Sequence, residues 1–157
     1  MDLSMHASSA RDGIADRAAI VLDRLAAFPP SLRLLLGRVA VAAVFWRSGL
    51  TKIANWDQTV ALFADEYQVP VLPPELAAWL GTAAELTAPV LLVLGLAARF
   101  GALTLLGVTA VIQVFVYPAA WPEHLLWATL LLMVATEGAG RISLDHPLRR
   151  LLLGRRR

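Results

Sequence analysis

The chain contains no cysteine, and only 17% of its 157 residues are charged. The absence of cysteine excludes disulfides, thiolate catalysis, iron–sulfur clusters and cysteine-ligated zinc within this chain. Lysine is almost absent too, because the 14 basic residues are thirteen arginines and Lys52. Apolar residues instead make up 58% of the chain, against about 45–50% in an average soluble domain. This balance predicts a membrane protein; the alternative is a soluble protein with a fully buried helical core.

Four stretches are poor in charge and predict an all-α polytopic membrane protein, a bundle of four transmembrane helices. A helix needs about 20 apolar residues to cross a hydrocarbon core of about 30 Å. The first three stretches reach that length, whereas the ends of the fourth, at Trp121 and Gly140, must lie near the interfaces. The four stretches cover residues 32–53, 76–98, 100–117 and 124–138.

The distribution of charge predicts the orientation of these spans. Basic residues precede the first span, separate the second from the third, and follow the fourth, whereas the other two links are acidic. Since basic residues favour the cytoplasmic side, we expect a bacterial inner-membrane protein with both termini in the cytoplasm. The basic groups on that side are Arg11, Arg17, Arg24, Arg33, Arg38, Arg99, Arg141, Arg149, Arg150, Arg155, Arg156 and Arg157.

We expect three regions in the chain: a helix over 1–30, the transmembrane domain over 31–140 and a basic cytoplasmic tail over 141–157. The first region has apolar residues at helical spacing with charges opposite, which predicts an amphipathic helix at the cytoplasmic interface. A helix that docks a partner protein is the alternative. The basic tail is explained as a topology signal near anionic lipid, so its charge requires no nucleic-acid partner.

The first acidic link has the pattern of a short outer helix. Trp56, Val60, Phe63 and Tyr67 fall on one helical stripe. Asn55 followed by Gln58 three residues later is typical of a helix start, and Pro70 would end the helix. We expect this helix to rest on the lipid interface; a lid over the outer mouth of the bundle is the alternative.

Ionisable groups inside a membrane are unfavourable by about 2.5–3.5 kcal/mol each, so each one needs a reason. Glu85 lies near the middle of the second span, about 15 Å deep, and Arg47 lies about 9 Å deep in the first. An arginine angled inward would reach this carboxylate, which predicts an intramembrane pair. Lys52, at the end of its span, is expected to extend to the interface. Pro89 lacks an N–H, which leaves the Glu85 carbonyl without its helical donor.

Three further polar residues belong to the same outer half of the bundle. Gln113 and Tyr117 share one face of the third span, and His124 opens the fourth. Together with Arg47 and Glu85 they would form a polar pocket that binds a substrate. The alternative is that Arg47 and Glu85 only fix helix register, since buried pairs do so without chemistry. No metal-ligand spacing, nucleotide-binding loop or catalytic motif occurs, so neither a metal nor a catalytic residue is predicted.

Four segments in this order resemble the DoxX family of small four-span bacterial membrane proteins. The first is R-S-G-L-T-K-I from Arg47, and the link after it ends Y-Q-V-P at Pro70. The third is A-E-L-T-A-P-V-L-L-V-L-G-L-A-A-R from Ala84, and the last comprises W-P-E-H-L-L-W and G-A-G-R-I-S-L-D up to Asp145. The resemblance extends over residues 32–145 and does not include the N-terminal helix.

The resemblance implies a link to quinone chemistry, because relatives are similar to the membrane subunit of a thiosulfate:quinone oxidoreductase and others to redox-stress complexes. A quinone would then bind at the polar cluster, with Arg47 or Gln113 donating to a quinone carbonyl and Glu85 relaying a proton. The chain has no flavin, haem or thiol motif, so electrons would come from a soluble redox partner. We therefore expect a quinone-interacting or accessory subunit, not catalytic alone and with no covalently bound cofactor.

Two other classes of function fit the same sequence. A small transporter, of solutes or coupled to protons, would use Glu85 and the proline beside it as a path, although four short spans enclose little volume without a homo-oligomer. A membrane scaffold would instead anchor a soluble partner through residues 1–28 and the basic tail.

Overall fold

A computed structural model describes residues 17, 19–24 and 26–153, apart from the side chains of residues 152 and 153. The regular structure of these residues is helical, with no strand among them. Most of the predicted N-terminal amphipathic helix lies outside the described residues. Residues 19–24 are helical, and Ile20, Val21 and Leu22 there are each more than half exposed.

Six helices follow from residue 30 to residue 153. The second is a short helix in the link between the first and the third. The fourth and fifth are joined by a single 3-10 turn. The helices are α1 (Pro30–Ala54), α2 (Trp56–Leu62), α3 (Pro74–Leu94), α4 (Ala98–Val111), α5 (Trp121–Glu137) and α6 (Asp145–Leu153). Single π-helical turns extend α2 over Phe63–Tyr67 and α4 over Ile112–Val116.

Three helices in the described part of the chain are long and apolar enough to cross a membrane: α1, α3, and α4 with its π-helical extension to Val116. Their sequences form helices because apolar residues run through them with few interruptions, and Pro89 lies inside α3 without ending it. Helix α5 has 17 residues, about 25 Å at 1.5 Å per residue, which is less than the thickness of a hydrocarbon core.

The core of the bundle is apolar and lies along the inward faces of α1, α3, α4 and α5. Val41, Phe45, Leu92, Leu105 and Leu131 are at most 1% exposed within it. Large apolar side chains such as Phe100 and Leu126 are at the same time more than 60% exposed. An outer surface this apolar is stable in lipid rather than in water, and agrees with the membrane prediction.

Arg38 is fully buried in α1 and joins three segments, although the sequence analysis treated it only as a topology signal. Its Nη1 donates to the Leu92 carbonyl over 3.0 Å, near the end of α3, and its Nη2 donates to the Ile142 carbonyl. Carbonyls in the last turn of a helix have no intrahelical donor, so a guanidinium satisfies them well.

The segment before α6 is hydrogen-bonded to the turn between α3 and α4. The Asp145 carboxylate accepts from the N–H groups of Ala97 (2.8 Å) and Ala98 (3.1 Å), and so caps the start of α4. The Asp145 N–H donates to the Gly95 carbonyl over 2.9 Å. The first residues of the predicted tail are therefore fixed to the bundle at the end where Arg38 is buried.

Candidate functional site

Glu85 projects from α3 into the bundle and is 2% exposed. Its Oε2 lies 2.6 Å from Nζ of Lys52 on α1, which also donates to Ser48 Oγ over 2.8 Å. Ser48 and Lys52 are four residues apart and therefore share one face of α1. A buried carboxylate, an ammonium group and a hydroxyl thus meet between α1 and α3.

The structure corrects the predicted pair of Arg47 and Glu85, because the cation beside Glu85 is Lys52. Arg47 is exposed on the surface of α1. Five residues turn a helix by about 500°, so Arg47 and Lys52 point about 140° apart. The depth argument was right that a cation must reach Glu85, but depth alone did not show which face of α1 is turned inward.

Helices α1 and α3 approach each other closely beside the Lys52–Glu85 ion pair. A Cβ atom added at Gly49 would lie 3.3 Å from the backbone carbonyl carbon of Glu85 and less than 3 Å from the side chain of Leu86. A larger residue there would require the Leu86 side chain to move and α1 and α3 to separate slightly. The Glu85 carbonyl also lacks its helical donor, because residue 89 is a proline. Helix α1 therefore lies against the point where one backbone hydrogen bond of α3 is missing.

The ion pair forms part of the wall of a cavity of about 380 Å³, within the range of small-molecule sites. Apart from Ser48, Lys52, Glu85 and two tyrosines, its wall is made of apolar side chains and glycines. The apolar lining comes from α1, α3, α4 and α5 and from the link after α2, and includes Val44, Phe45, Phe63, Leu72, Leu80, Val108, Val111 and Trp127.

Aromatic rings from the first π-helical turn and from Tyr117, which directly follows the second, line this cavity. Tyr67 packs edge-on against Phe63 (5.0 Å between centroids) and against Tyr117 (5.9 Å). The Tyr117 hydroxyl donates to Glu66 Oε1 over 3.2 Å. Burial, with a contribution from Tyr117, raises the pKa of Tyr67 above its ordinary value, so this phenol keeps its proton. Single π-helical turns occur often at functional sites.

The short helix α2 and the π-helical turn after it pack on the start of α3. The Trp56 and Trp79 rings lie 4.3 Å apart, and Phe63 packs on Ala77 and Ala78 at the start of α3. The Asn55 side chain accepts from the Gln58 N–H over 3.2 Å and caps the helix. Phe63 and Tyr67, which continue the stripe of α2, line the cavity.

Gln113 and His124 form a separate pair next to the cavity. His124 Nδ1 and Gln113 Oε1 are 2.7 Å apart, and the Gln113 amide donates to the Pro118 carbonyl over 2.9 Å. The His124 ring lies 5.1 Å from that of Trp127, which lines the cavity. Of the five predicted site residues, Glu85 and Tyr117 therefore line the cavity, Gln113 and His124 lie behind its wall, and Arg47 lies outside.

Lys52, Ser48 and Tyr67 are the functional candidates that the sequence analysis missed. A signal for Lys52 was present, because it is the single lysine beside thirteen arginines and follows Phe45 and Ser48 on one helical stripe. Within the described ranges no group of three or more His, Asp or Glu residues is placed to hold a metal ion.

Comparison with known proteins identifies the family. The DoxX family model matches residues 33–118, more than half of the chain and the segment that supplies Lys52, Glu85 and both π-helical turns. No curated protein and no solved structure gave a significant match. The chain therefore belongs to the DoxX family, and its apolar helices make it a membrane protein of that family.

Proposed function

We propose that the cavity beside Lys52 and Glu85 binds the ring of a lipophilic quinone, and that the protein is the quinone-interacting subunit of a membrane redox system. The observation that carries the proposal is a buried carboxylate paired with a partly buried ammonium group in the wall of an otherwise apolar and aromatic cavity. A quinone ring is flat and apolar and has two carbonyl oxygens. It therefore matches a site with apolar walls and a few fixed donors.

The side chains in the wall suit the binding of a quinone oxygen and the supply of protons to it. Reduction of a quinone to a quinol takes up two electrons and two protons. The Lys52 ammonium would donate a hydrogen bond to one quinone oxygen, the role that the resemblance had suggested for Arg47 or Gln113, and Glu85 would pass protons. The electrons would come from a partner protein with its own redox centre.

The exposure of the lining residues supports entry of the ligand from lipid. Val44, Leu80 and Val111 line the cavity and are each at least 36% exposed on the apolar outer surface. A ligand dissolved in the bilayer would reach the cavity between them without crossing water. Quinones with isoprenoid tails are confined to that phase.

For the topology we propose four spans, with α5 as the fourth and both termini on the cytoplasmic side of a bacterial inner membrane. Helix α5 would cross with its ends near the two interfaces, where a short span is accommodated by local thinning of the bilayer. This arrangement places Asp57, Asp65 and Glu66 outside and the arginines around α6 inside.

Titration of the purified protein with decylubiquinone tests the binding proposal. Because the Trp127 ring lines the cavity, we expect binding to quench tryptophan fluorescence and to raise the unfolding temperature. The variant Lys52→Met should weaken binding at least ten-fold, and Trp127→Phe should lose most of the quenching while it still binds. Arg47→Met, on the exposed face of the same helix, is the matched control and should bind like the unmodified protein. Equal binding by Lys52→Met and Arg47→Met would overturn the proposal.

A further inference from the structure

A second cavity, of about 260 Å³, lies on another side of Lys52 and has a different chemistry. Four residues line both this cavity and the apolar one: Ser48, Lys52, Phe63 and Tyr67. Apart from Leu62, the remaining wall of the second cavity consists of polar side chains from the end of α1, from the turn after it and from α2. Lys52 therefore stands between an apolar compartment and a polar one.

The residues that line only the second cavity are mostly hydroxyl and amide side chains: Thr51, Asn55, Gln58 and Thr59, together with Leu62. Thr51, Asn55 and Gln58 are exposed, so the cavity reaches the aqueous surface of the first link. Thr59 is buried, and its hydroxyl donates to the carbonyls of Lys52 (2.9 Å) and Asn55 (3.0 Å). These bonds fix the turn between α1 and α2 and keep the wall in place.

We expect this cavity to hold water. A polar site larger than one water molecule, with several donors and acceptors in its wall, is hydrated, whereas cavities lined by apolar groups stay dry. The carboxylate of Glu85 is 2% exposed and touches Lys52 Nζ directly. Water in the polar cavity reaches Lys52, and through it this carboxylate, without entering the apolar cavity.

We propose that the polar cavity is the proton port of the quinone site, connecting the Lys52–Glu85 pair to the aqueous phase beside α2. This inference rests on the proposed quinone binding. On reduction, two electrons arrive from the redox partner and two protons reach the two quinone oxygens through the pair. Water in the polar cavity returns those two protons to the pair, so that quinone, two electrons and two protons give one quinol. Quinol oxidation runs the same exchange in reverse and releases both protons into the port.

The absence of cysteine allows a direct test, because a single introduced thiol has no background. Ser48→Cys places a thiol beside Lys52, and its modification by the charged reagent sulfonatoethyl methanethiosulfonate requires water at that depth. Val108→Cys is the matched control, because Val108 lines only the apolar cavity. In lipid nanodiscs we expect Ser48→Cys to react at least ten times faster than Val108→Cys.

The route of access is tested by filling each cavity in turn. Adding Thr51→Phe to Ser48→Cys puts a ring into the polar cavity and should slow modification at least ten-fold, whereas saturation with decylubiquinone should not. A Ser48→Cys thiol as unreactive as Val108→Cys, or one slowed by decylubiquinone but not by Thr51→Phe, overturns the inference. If Ser48→Cys does not fold, the modification rate of Thr59→Cys is measured instead and judged by the same criteria. Thr59 is buried and lines only the polar cavity.

Modification of these thiols does not depend on quinone binding, so the two proposals fail separately. If decylubiquinone neither quenches the tryptophan fluorescence of the unmodified protein nor raises its unfolding temperature, the quinone site is contradicted. An unreactive thiol at both reporter positions contradicts the port.

Discussion

At the residue scale, two basic side chains of α1 point into the molecule for different reasons: Lys52 is partly buried and Arg38 is fully buried. Lys52 meets a carboxylate in the wall of a cavity, whereas Arg38, fully buried about 21 Å away along the helix, meets backbone carbonyls. A charge that leaves water needs a partner in either case. The sequence does not show which of the thirteen arginines is buried, since Arg33, Arg38 and Arg47 look alike there.

Removing only the cation of the ion pair should destabilise the protein. Lys52→Met leaves the Glu85 carboxylate buried beside apolar groups, and breaking such a pair lowers the free energy of unfolding by about 3 kcal/mol. Adding Glu85→Met to Lys52→Met removes the orphaned carboxylate and should restore part of that loss. Unfolding in mixed micelles measures both effects. A larger loss in the exposed Arg47→Met control than in Lys52→Met would contradict the pairing.

Arg38 should contribute to stability rather than to binding. Arg38→Met removes the guanidinium hydrogen bonds to the Leu92 and Ile142 carbonyls, and loss of hydrogen bonds from a charged group lowers the free energy of unfolding by about 3 kcal/mol. Decylubiquinone binding to the variant that remains folded should be unchanged, since Arg38 does not line the cavity. Arg33→Met is the control, because Arg33 is exposed on the same helix. Equal stability of the two variants would contradict this role.

At the element scale, the turn between α3 and α4 is closely packed. Gly95 ends α3 with a φ of +64°, in the left-handed region that favours glycine. A Cβ atom there would collide with Arg38 Nη1 and with Ser143. The turn therefore depends on a residue without a side chain, and on the segment before α6 that packs over it.

Two glycine substitutions should differ in their effect on the free energy of unfolding. Gly95→Ala should lower the free energy of unfolding by more than about 1–2 kcal/mol, because the left-handed conformation is strained and the added methyl group displaces Arg38. Gly107→Ala meets nothing within 4 Å and lies inside α4. It should be neutral or raise the same quantity by up to about 1 kcal/mol, since alanine favours a helix interior. Unfolding of the two variants side by side measures the difference, and a Gly95→Ala protein as stable as Gly107→Ala would contradict the assignment.

At the scale of the whole molecule, the topology depends on whether α5 crosses the membrane. Helices α1, α3 and α4 are long enough to span, whereas α5 is about 25 Å long. The exposed apolar side chains Leu125, Leu126 and Leu132 favour lipid around it. The arginines that follow α5 favour the same side as those that precede α1.

Reporter fusions should distinguish three spans from four. Alkaline phosphatase, which is active only outside the cytoplasm, should be active when fused after Asp65 and inactive when fused after Arg157. A fluorescent protein that folds only in the cytoplasm should give the reverse pattern. Active phosphatase at both positions would show that the number of spans between them is even, and α5 would then lie on the surface instead of crossing.

The sequence by itself determined the class of the protein, its family and the positions of its long apolar helices. These properties depend on the local order of apolar and charged residues, which needs no knowledge of packing. It also determined that Glu85 is a buried carboxylate in need of a cation. The helix cap at Asn55 could be predicted as well, because its partner Gln58 is only three residues away in the sequence.

Only the tertiary structure decided that the cation is Lys52, that α2 lines a second cavity, and that Arg38 is buried towards the other end of α1. Each depends on how a helix is rotated about its axis and on which residues distant in the chain it meets. An apolar helix in a membrane has little amphipathic pattern to show that rotation. Contacts such as Gly49 against Glu85 fix the rotation of α1 about its axis instead. That rotation places Lys52 in the walls of both cavities.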